Sequence, residues 1–212
     1  SVCAYLTAVL TQPAVRGAAA VGRVGTYTSP HLVSVRERIQ LDGAPLACDL
    51  FARYFFEVWD ALTAAARADA RAAGRPVDVD AALEAELGGP ATKPFYFRFL
   101  TLLAFHVFLR EGVRTAVVEC GIGGEYDGTN VLPAAAVTAS VVTQLGIDHV
   151  GMLGATLPEI AWHKAGVAKP GRRCFTRALT GPAGADAMAV LRRRAHERGA
   201  ELVELQDAAV EA

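Results

Sequence analysis

The stretch RTAVVECGIGGEYDGTN, residues Arg114 to Asn130, contains the pattern that decides the fold. It opens with an apolar run that is typical of a strand buried in a sheet. The predicted strand is Arg114 to Cys120, with Glu119 near its tip, and a turn rich in glycine and polar residues follows it. A carboxylate at the tip of a buried strand needs a hydrogen-bonding partner or a metal ion. The junction is therefore a candidate functional site, although a salt bridge beside an ordinary glycine turn is an open alternative.

Two other apolar runs have the same form. Arg23 to Thr28 is a predicted strand that leads into Ser29, and Ala136 to Leu145 is one that leads to His149. Strands that alternate with helices predict an α/β fold, with a three-layer, mostly parallel sheet and helices on both faces. The periodicity of apolar residues predicts helices at 1–10, 46–71, 94–109, 157–168 and 183–198, and further strands at 173–176 and 201–205.

Polar residues follow three of the predicted strands, at Ser29 to His31, at Glu119 to Asn130, and at Asp148 and His149. Ligands of such sheets bind outside the carboxyl ends of the strands, so these clusters predict a site. Glutamate, histidine and a hydroxyl together can bind Mg²⁺, although this ion prefers oxygen ligands. A hydrogen-bonded loop histidine is the alternative for His149, and a solvated surface lysine is the alternative for Lys164.

The segment YTSPHLVSVRERI, Tyr27 to Ile39, is unusually polar for this chain. Its Ser29–Pro30 bond is a candidate for the cis form, which often marks a tight turn at a site. Arg36 and Arg38 lie two residues apart, so they would face the same side of an extended segment. There they could bind a carboxylate or a phosphate. Two exposed arginines are the alternative interpretation.

The composition narrows the class of protein. With 212 residues and 52% hydrophobic content, the chain can form one large domain or two small ones. Its formal charge of −1 argues against general binding to nucleic acid or to a membrane surface. No apolar run reaches the roughly 18 residues of a membrane span. The four cysteines are scattered, which favours a reducing compartment. The alanine-rich residues 64–92, with several glycines and prolines, are predicted to be a flexible surface insertion.

Four segments carry a resemblance to a known family. They are, in chain order, YTSPHLVSVRERIQLDG, FYFRFLTLLAFHVF, VVECGIGGEYDGTNVL and LGIDHVGMLGATLPEIAWHKAGVAKPG. Together they resemble the folylpolyglutamate synthases, the folate branch of the Mur ligase family. The second segment resembles the eukaryotic type more than the bacterial bifunctional dihydrofolate synthase/folylpolyglutamate synthase.

The resemblance implies a fold and a reaction. The family has a P-loop ATPase domain and a C-terminal Rossmann-like domain, with ATP and glutamate bound between them. It adds L-glutamate to the γ-carboxylate of tetrahydrofolate through an acyl phosphate, with ATP as co-substrate and Mg²⁺ as cofactor. The implied partners are folate, glutamate and ATP, without nucleic acid or membrane. We expect a monomer in the cytoplasm, with a mitochondrial or other organellar form as an option.

The resemblance also assigns roles to residues by motif. The implied magnesium ligands are Ser1, Ser29, Glu119, His149 and Lys164, the last as a carbamate, and Ser1 would also contact ATP. The implied catalytic residues are Glu119, His149 and Lys164. The implied folate-binding residues are Phe95, Tyr96, Phe97, Tyr126, Asp127 and Gly128.

The sequence also departs from the family pattern. The glycines and the lysine of the family's phosphate loop, its first strand and its C-terminal domain do not occur in these residues. We therefore expect residues 1–212 to form an incomplete ATPase domain without ligase activity of its own. Two alternatives stay open: a dihydrofolate synthase, and a non-catalytic remnant that binds folate or nucleotide.

Overall fold

The computed structural model describes residues 1–18, 21–77 and 80–206. The chain forms two compact units, Ser1–Glu119 and Cys120–Ala212. The helices and strands of the first are α1 (Val2–Leu10), α2 (Pro13–Ala18), β1 (Arg23–Tyr27), β2 (Ile39–Leu41), β3 (Ala44–Pro45), α3 (Cys48–Ala72), α4 (Ala81–Gly88), α5 (Tyr96–Arg110) and β4 (Val113–Val118). Those of the second are β5 (Ala139–Val142), α6 (Val150–Leu153), α7 (Leu157–Ala165), β6 (Arg173–Arg177), α8 (Pro182–Glu197) and β7 (Glu201–Leu205).

The sheet of the first unit has the strand order β3-β2-β1-β4. β1 and β4 are parallel, with Tyr27 opposite Val118 at their carboxyl ends. β2 is antiparallel to β1, and β3 is antiparallel to β2. The residues that follow β1 and β4 therefore leave the sheet at one edge, as parallel neighbours must.

The core of the first unit lies between this sheet and helices α3 and α5. Leu103, Ala104 and Val107 of α5 are fully buried, and so are Tyr27 and Ile39 of the sheet region. The spacing of the three α5 residues places them on one face of the helix, which is the face that meets the core.

The second unit has a parallel sheet with the order β5-β6-β7. Ile160 and Ala161 of α7 and Met188 and Leu191 of α8 are almost fully buried in its hydrophobic core. Cys174 of β6 is also buried there, and burial raises the pKa of its thiol to about 11. A thiol of this kind is inert near neutral pH, which agrees with a structural role.

The predicted α/β class is confirmed, with parallel pairing between β1 and β4 and among β5, β6 and β7. Two details differ. The first sheet is mixed, because β2 returns beside β1 after residues 28–38 and runs antiparallel to it, and β3 follows through a tight turn that also gives antiparallel pairing. The predicted burial of β4 holds for one face only, since Arg114 and Ala116 are exposed. The assignment of residues 1–212 to one incomplete ATPase domain stays a prediction.

Residues 64–92 contain helical structure. α3 continues to Ala72 and α4 spans Ala81–Gly88, because alanine is the best helix former. Ala70, Val77, Leu83 and Leu87 form a small buried cluster, so part of the segment is packed. Its flexibility stays a prediction, and residues 78 and 79 lie outside the described ranges. Among the helices of the described ranges, none has the length and apolar character that crossing a bilayer requires.

Candidate functional site

Three of the predicted magnesium ligands lie near one another in the first unit. Glu119 directly follows β4, and its backbone N–H donates to the carbonyl of Tyr27 at 2.8 Å. The backbone N–H of Ser29 donates to the Glu119 carboxylate. Burial raises the pKa of Glu119, and this hydrogen bond and the amino group of Ser1 oppose the rise only in part. The partly buried carboxylate of Glu119 therefore interacts with Ser29 and Ser1 at the edge of the sheet.

The loop after Ser29 is held by Glu37. The Ser29–Pro30 peptide bond is cis. The Glu37 carboxylate accepts hydrogen bonds from the backbone N–H groups of Leu32, Val33 and Ser34, at 2.9, 3.0 and 2.6 Å. These bonds lower the pKa of Glu37. The loop thus has a fixed conformation although Leu32 and Val33 are each 91% exposed.

The two arginines of this loop do not share a face, so the prediction based on an extended segment is wrong. Val35–Arg38 forms a 3-10 helix, in which residues two apart point in different directions. Arg36 donates to the carbonyl of Leu46 at 2.9 Å. Arg38 instead donates from Nε to Nδ1 of His31 at 2.9 Å. The interpretation of two exposed arginines also fails for Arg38, which is 8% exposed.

The predicted folate-binding residues of the first unit begin α5. Phe95 is the N-cap and is 90% exposed, and Tyr96 is 57% exposed. Phe97 is half-buried, and its ring lies 5.8 Å from that of Tyr27. Phe95 and Tyr96 therefore present aromatic surface to a ligand, whereas Phe97 contributes to the core.

In the second unit, Asp127 organises the glycine-rich turn. Its carboxylate accepts from the backbone N–H groups of Gly121 and Ile122, at 2.9 and 3.0 Å. It also accepts from the backbone N–H and the hydroxyl of Thr129, at 2.9 and 2.6 Å. Both carboxylate oxygens are thus engaged, so Asp127 shapes the turn that carries Tyr126 and Gly128.

Glu125 fastens the same turn to α7 and α8, which sequence reasoning missed. Its backbone N–H donates to the carbonyl of His163 at 2.8 Å. Its carboxylate forms ion pairs with Arg194 at 2.8 Å and with Arg198 at 3.1 Å. The next residue, Tyr126, is 74% exposed, and its ring lies 5.9 Å from the His163 ring. These contacts of Glu125 fix the turn and leave the ring of Tyr126 exposed, so the ring can contact a ligand.

His149 and Lys164 both belong to the second unit. His149 is the N-cap of α6 and has a left-handed backbone with φ of 51°. Such a conformation is uncommon outside glycine and often marks functional sites. Its Nε2 lies 3.7 Å from Asp148 Oδ2, and the side chains of His149 and Asp148 are 46% and 79% exposed. Lys164 is half-buried on α7. Their place in a metal site with Glu119 stays a prediction.

No model of a known protein family matches the chain. A curated folylpolyglutamate synthase of Neurospora crassa is 45% identical over 200 residues, which cover 94% of this chain and 34% of that protein. The chain is related to the folylpolyglutamate synthases. It spans about a third of the length of the curated relatives that it matches. The resemblance drawn from the four sequence segments is thereby confirmed.

Solved structures of folylpolyglutamate synthases agree in fold. An FPGS–AMPPCP–folate complex superposes with a TM-score of 0.65 at 32% identity, over 95% of this chain and 41% of that one. The Mycobacterium tuberculosis folylpolyglutamate synthase complexed with ADP gives a TM-score of 0.64 at 29% identity, over 86% and 36% of the two chains. These neighbours confirm the predicted class of fold.

Proposed function

We propose that this chain provides part of an ATP-dependent ligase that adds L-glutamate to the γ-carboxylate of a tetrahydrofolate. The observation that carries the proposal is the 45% identity to a folylpolyglutamate synthase over 94% of the chain. The placement of Ser29 and Glu119 after two parallel neighbouring strands supports it, since such edges bind ligands.

The residues around Glu119 fit a magnesium ion. Ser1 and Ser29 offer hydroxyl oxygens and Glu119 a carboxylate, and these are the hard oxygen ligands that Mg²⁺ takes. The raised pKa of Glu119 marks a carboxylate whose burial is only partly compensated, as expected where a cation belongs. When bound, the ion would offset charge on the ATP phosphates. His149 and the carbamate of Lys164 are proposed for a second magnesium site.

The proposed reaction has two steps. The folate γ-carboxylate attacks the γ-phosphorus of ATP, which gives an acyl phosphate and ADP. The amine of L-glutamate then attacks the acyl carbon, and the tetrahedral intermediate releases phosphate as the amide forms. In the first unit, the exposed rings of Phe95 and Tyr96 would stack on the aromatic part of the folate. Tyr126 of the second unit, also exposed, is proposed as a folate-binding residue by its motif. The contribution of this chain is thus to bind and orient the reactants.

The test compares the 212-residue chain with the complete product of its gene. Labelled glutamate, ATP, Mg²⁺ and tetrahydrofolate are supplied, and polyglutamate products are separated by chromatography. We expect products from the complete gene product, and none when Glu119 is changed to Gln. Preferred use of dihydropteroate would instead support a dihydrofolate synthase. No product with either acceptor would contradict the proposal.

One sequence observation supports a second candidate for the isolated chain. Its three lysines, Lys93, Lys164 and Lys169, do not follow a glycine, so the Gly-Lys pair of a phosphate loop is missing from these residues. A chain of this kind can bind folate or nucleotide without turnover. Magnesium-dependent binding of AMPPCP in calorimetry, without ATP hydrolysis, is the expected result for this candidate.

A further inference from the structure

Among the residues that the structure describes, Arg38 is a buried cation without an acidic partner. Arg38 is only 8% exposed to solvent. In the described ranges, its side-chain hydrogen bond goes to the neutral acceptor His31, and no ion pair joins it to a carboxylate. By comparison, Arg194 of the second unit, whose side chain is 12% exposed, has Glu125 at 2.8 Å. A buried guanidinium without such a counterion is costly to the fold, and this points to a ligand that supplies the negative charge.

The groups around Arg38 do not replace that counterion. The adjacent Glu37 has its carboxylate engaged by three backbone N–H groups of the loop. On another side, the ring of Tyr96 lies 5.5 Å from the guanidinium carbon. A ring offers a cation–π contact, which attracts a cation but carries no net charge.

His31 adds a second donor beside the guanidinium. Its Nδ1 accepts the hydrogen bond from Arg38, so in the neutral ring the proton resides on Nε2. A neutral histidine with this tautomer presents Nε2–H as a donor. Arg38 therefore sets the orientation and the tautomer of His31 as well as offering its own Nη donors.

The position of the pair agrees with a binding role. The backbone carbonyl of Arg38 accepts from the N–H of Thr28 at 3.0 Å, directly after β1 ends. Arg38 therefore lies at the carboxyl end of β1 with His31 bonded to it, at the edge of the sheet where Ser29 follows β1 and Glu119 follows β4. Ligands of such sheets bind at this edge.

We propose that Arg38 and His31 form a binding site for an anionic oxygen group, a carboxylate or a phosphate. The guanidinium supplies charge and Nη donors, and His31 supplies Nε2–H. Two molecules could supply this anionic group, and naming them rests on the proposed function. They are the folate, through its glutamyl carboxylate, and ATP, through a phosphate. Arg38 is thus a ligand-binding residue, and it also positions His31.

The test uses the 212-residue chain and two matched variants. Arg38→Met removes the buried charge, and Arg98→Met removes an exposed arginine from the same unit. Calorimetry measures the Kd for pteroylglutamate, for its γ-amide and for AMPPCP with Mg²⁺. We expect Arg38→Met to weaken one anion about thirtyfold or more. A loss for pteroylglutamate but not its γ-amide identifies the carboxylate, and a loss for AMPPCP identifies the phosphate.

A spectroscopic arm separates failure of this site from failure of the proposed function. Nitrogen-15 NMR follows His31 Nε2–H and Arg38 Nε–H while inorganic phosphate is added. If the chain binds neither folate nor AMPPCP, a phosphate-dependent shift of both signals still supports the site, and its absence overturns it. We also expect Arg38→Met to keep or raise the Tm without ligand, because it removes an unpaired buried charge. A lower Tm with unchanged affinities would show a purely structural arginine.

Discussion

At the scale of the residue, similar side chains have different roles that depend on their partners. Glu37 and Asp127 accept several backbone N–H groups and fix loops. Glu125 is paired with two arginines. Glu119 accepts a hydrogen bond from the backbone of Ser29, and burial raises its pKa although this bond and the amino group of Ser1 act against the rise. Of these four carboxylates, Glu119 is therefore the one whose surroundings favour a bound cation.

Glu119→Gln is expected to weaken magnesium-dependent binding of AMPPCP about tenfold or more, since even indirect partners of a metal contribute that much. The amide keeps the size of the side chain and removes its charge. Calorimetry with and without Mg²⁺ measures the effect, and Asp49→Asn, at an exposed position of α3, is the control. Equal magnesium dependence in both variants would contradict the proposed ligand role.

Gly25→Ala is expected to destabilise the first unit by about 1–3 kcal/mol. A Cβ at this position would lie 2.6 Å from the ring of Phe108, which packs against β1. Gly17→Ala is the matched control, because a Cβ at that position of α2 has no neighbour within 4 Å. The control is expected to be stabilised by about 0.5–1 kcal/mol. Urea denaturation of both variants measures the difference, and equal midpoints would contradict the close packing.

At the scale of the element, a polar network joins β1, α3 and the end of α5. The Tyr54 hydroxyl of α3 donates to Glu111, which follows α5, and Arg23 of β1 pairs with the same carboxylate. The Tyr54 hydrogen bond is the main cause that lowers the pKa of Glu111, with help from Arg23 and Arg53. Burial raises the pKa of Glu111, but the hydrogen bonds and the arginine charges lower it by more.

This network predicts how stability depends on pH. A carboxylate whose pKa is lowered by folding stabilises the fold above its unfolded pKa and loses that effect as the pH falls through the folded pKa. Wild type is therefore expected to be more stable than Glu111→Gln at pH 7. The difference should shrink as the pH falls below the ordinary Glu value of 4.5. Urea midpoints between pH 7 and pH 3 measure it, and a constant difference would contradict the network's role.

At the scale of the whole molecule, the chain spans about a third of the length of its curated relatives. The 212 residues form the sheet edge that carries Ser29 and Glu119. They contain no Gly-Lys pair of the kind that binds phosphates in a phosphate loop. The proposed ligase activity therefore depends on more than the groups described in this chain.

The isolated 212-residue chain is accordingly expected to incorporate no labelled glutamate above background, while folate binding is retained. Losing the phosphate-loop donors removes much of the stabilisation of the transferred phosphoryl group. The assay pairs chromatography of products with calorimetry of pteroylglutamate on one preparation. Glutamate incorporation by the isolated chain would contradict this expectation.

The sequence by itself determined the features that depend on neighbours along the chain. Apolar runs predicted β1 and β4, and the periodicity of apolar residues predicted α5. The glycine-rich turn after β4 drew attention to Glu119. These are local signals, because strand and helix periodicity can be recognised within a few residues. The same signals placed Ser29 and Glu119 after the carboxyl ends of two strands, and the structure shows that these strands are parallel neighbours.

Only the tertiary structure decided which polar groups have partners. The sequence suggested that Arg36 and Arg38 act together, but a 3-10 helix separates them and buries Arg38 against His31. The resemblance assigned Asp127 to folate binding, which stays a prediction, and the structure adds that its carboxylate accepts hydrogen bonds within the turn. The partners of a polar group often come from segments far apart in sequence, so local spacing does not determine which partner it finds.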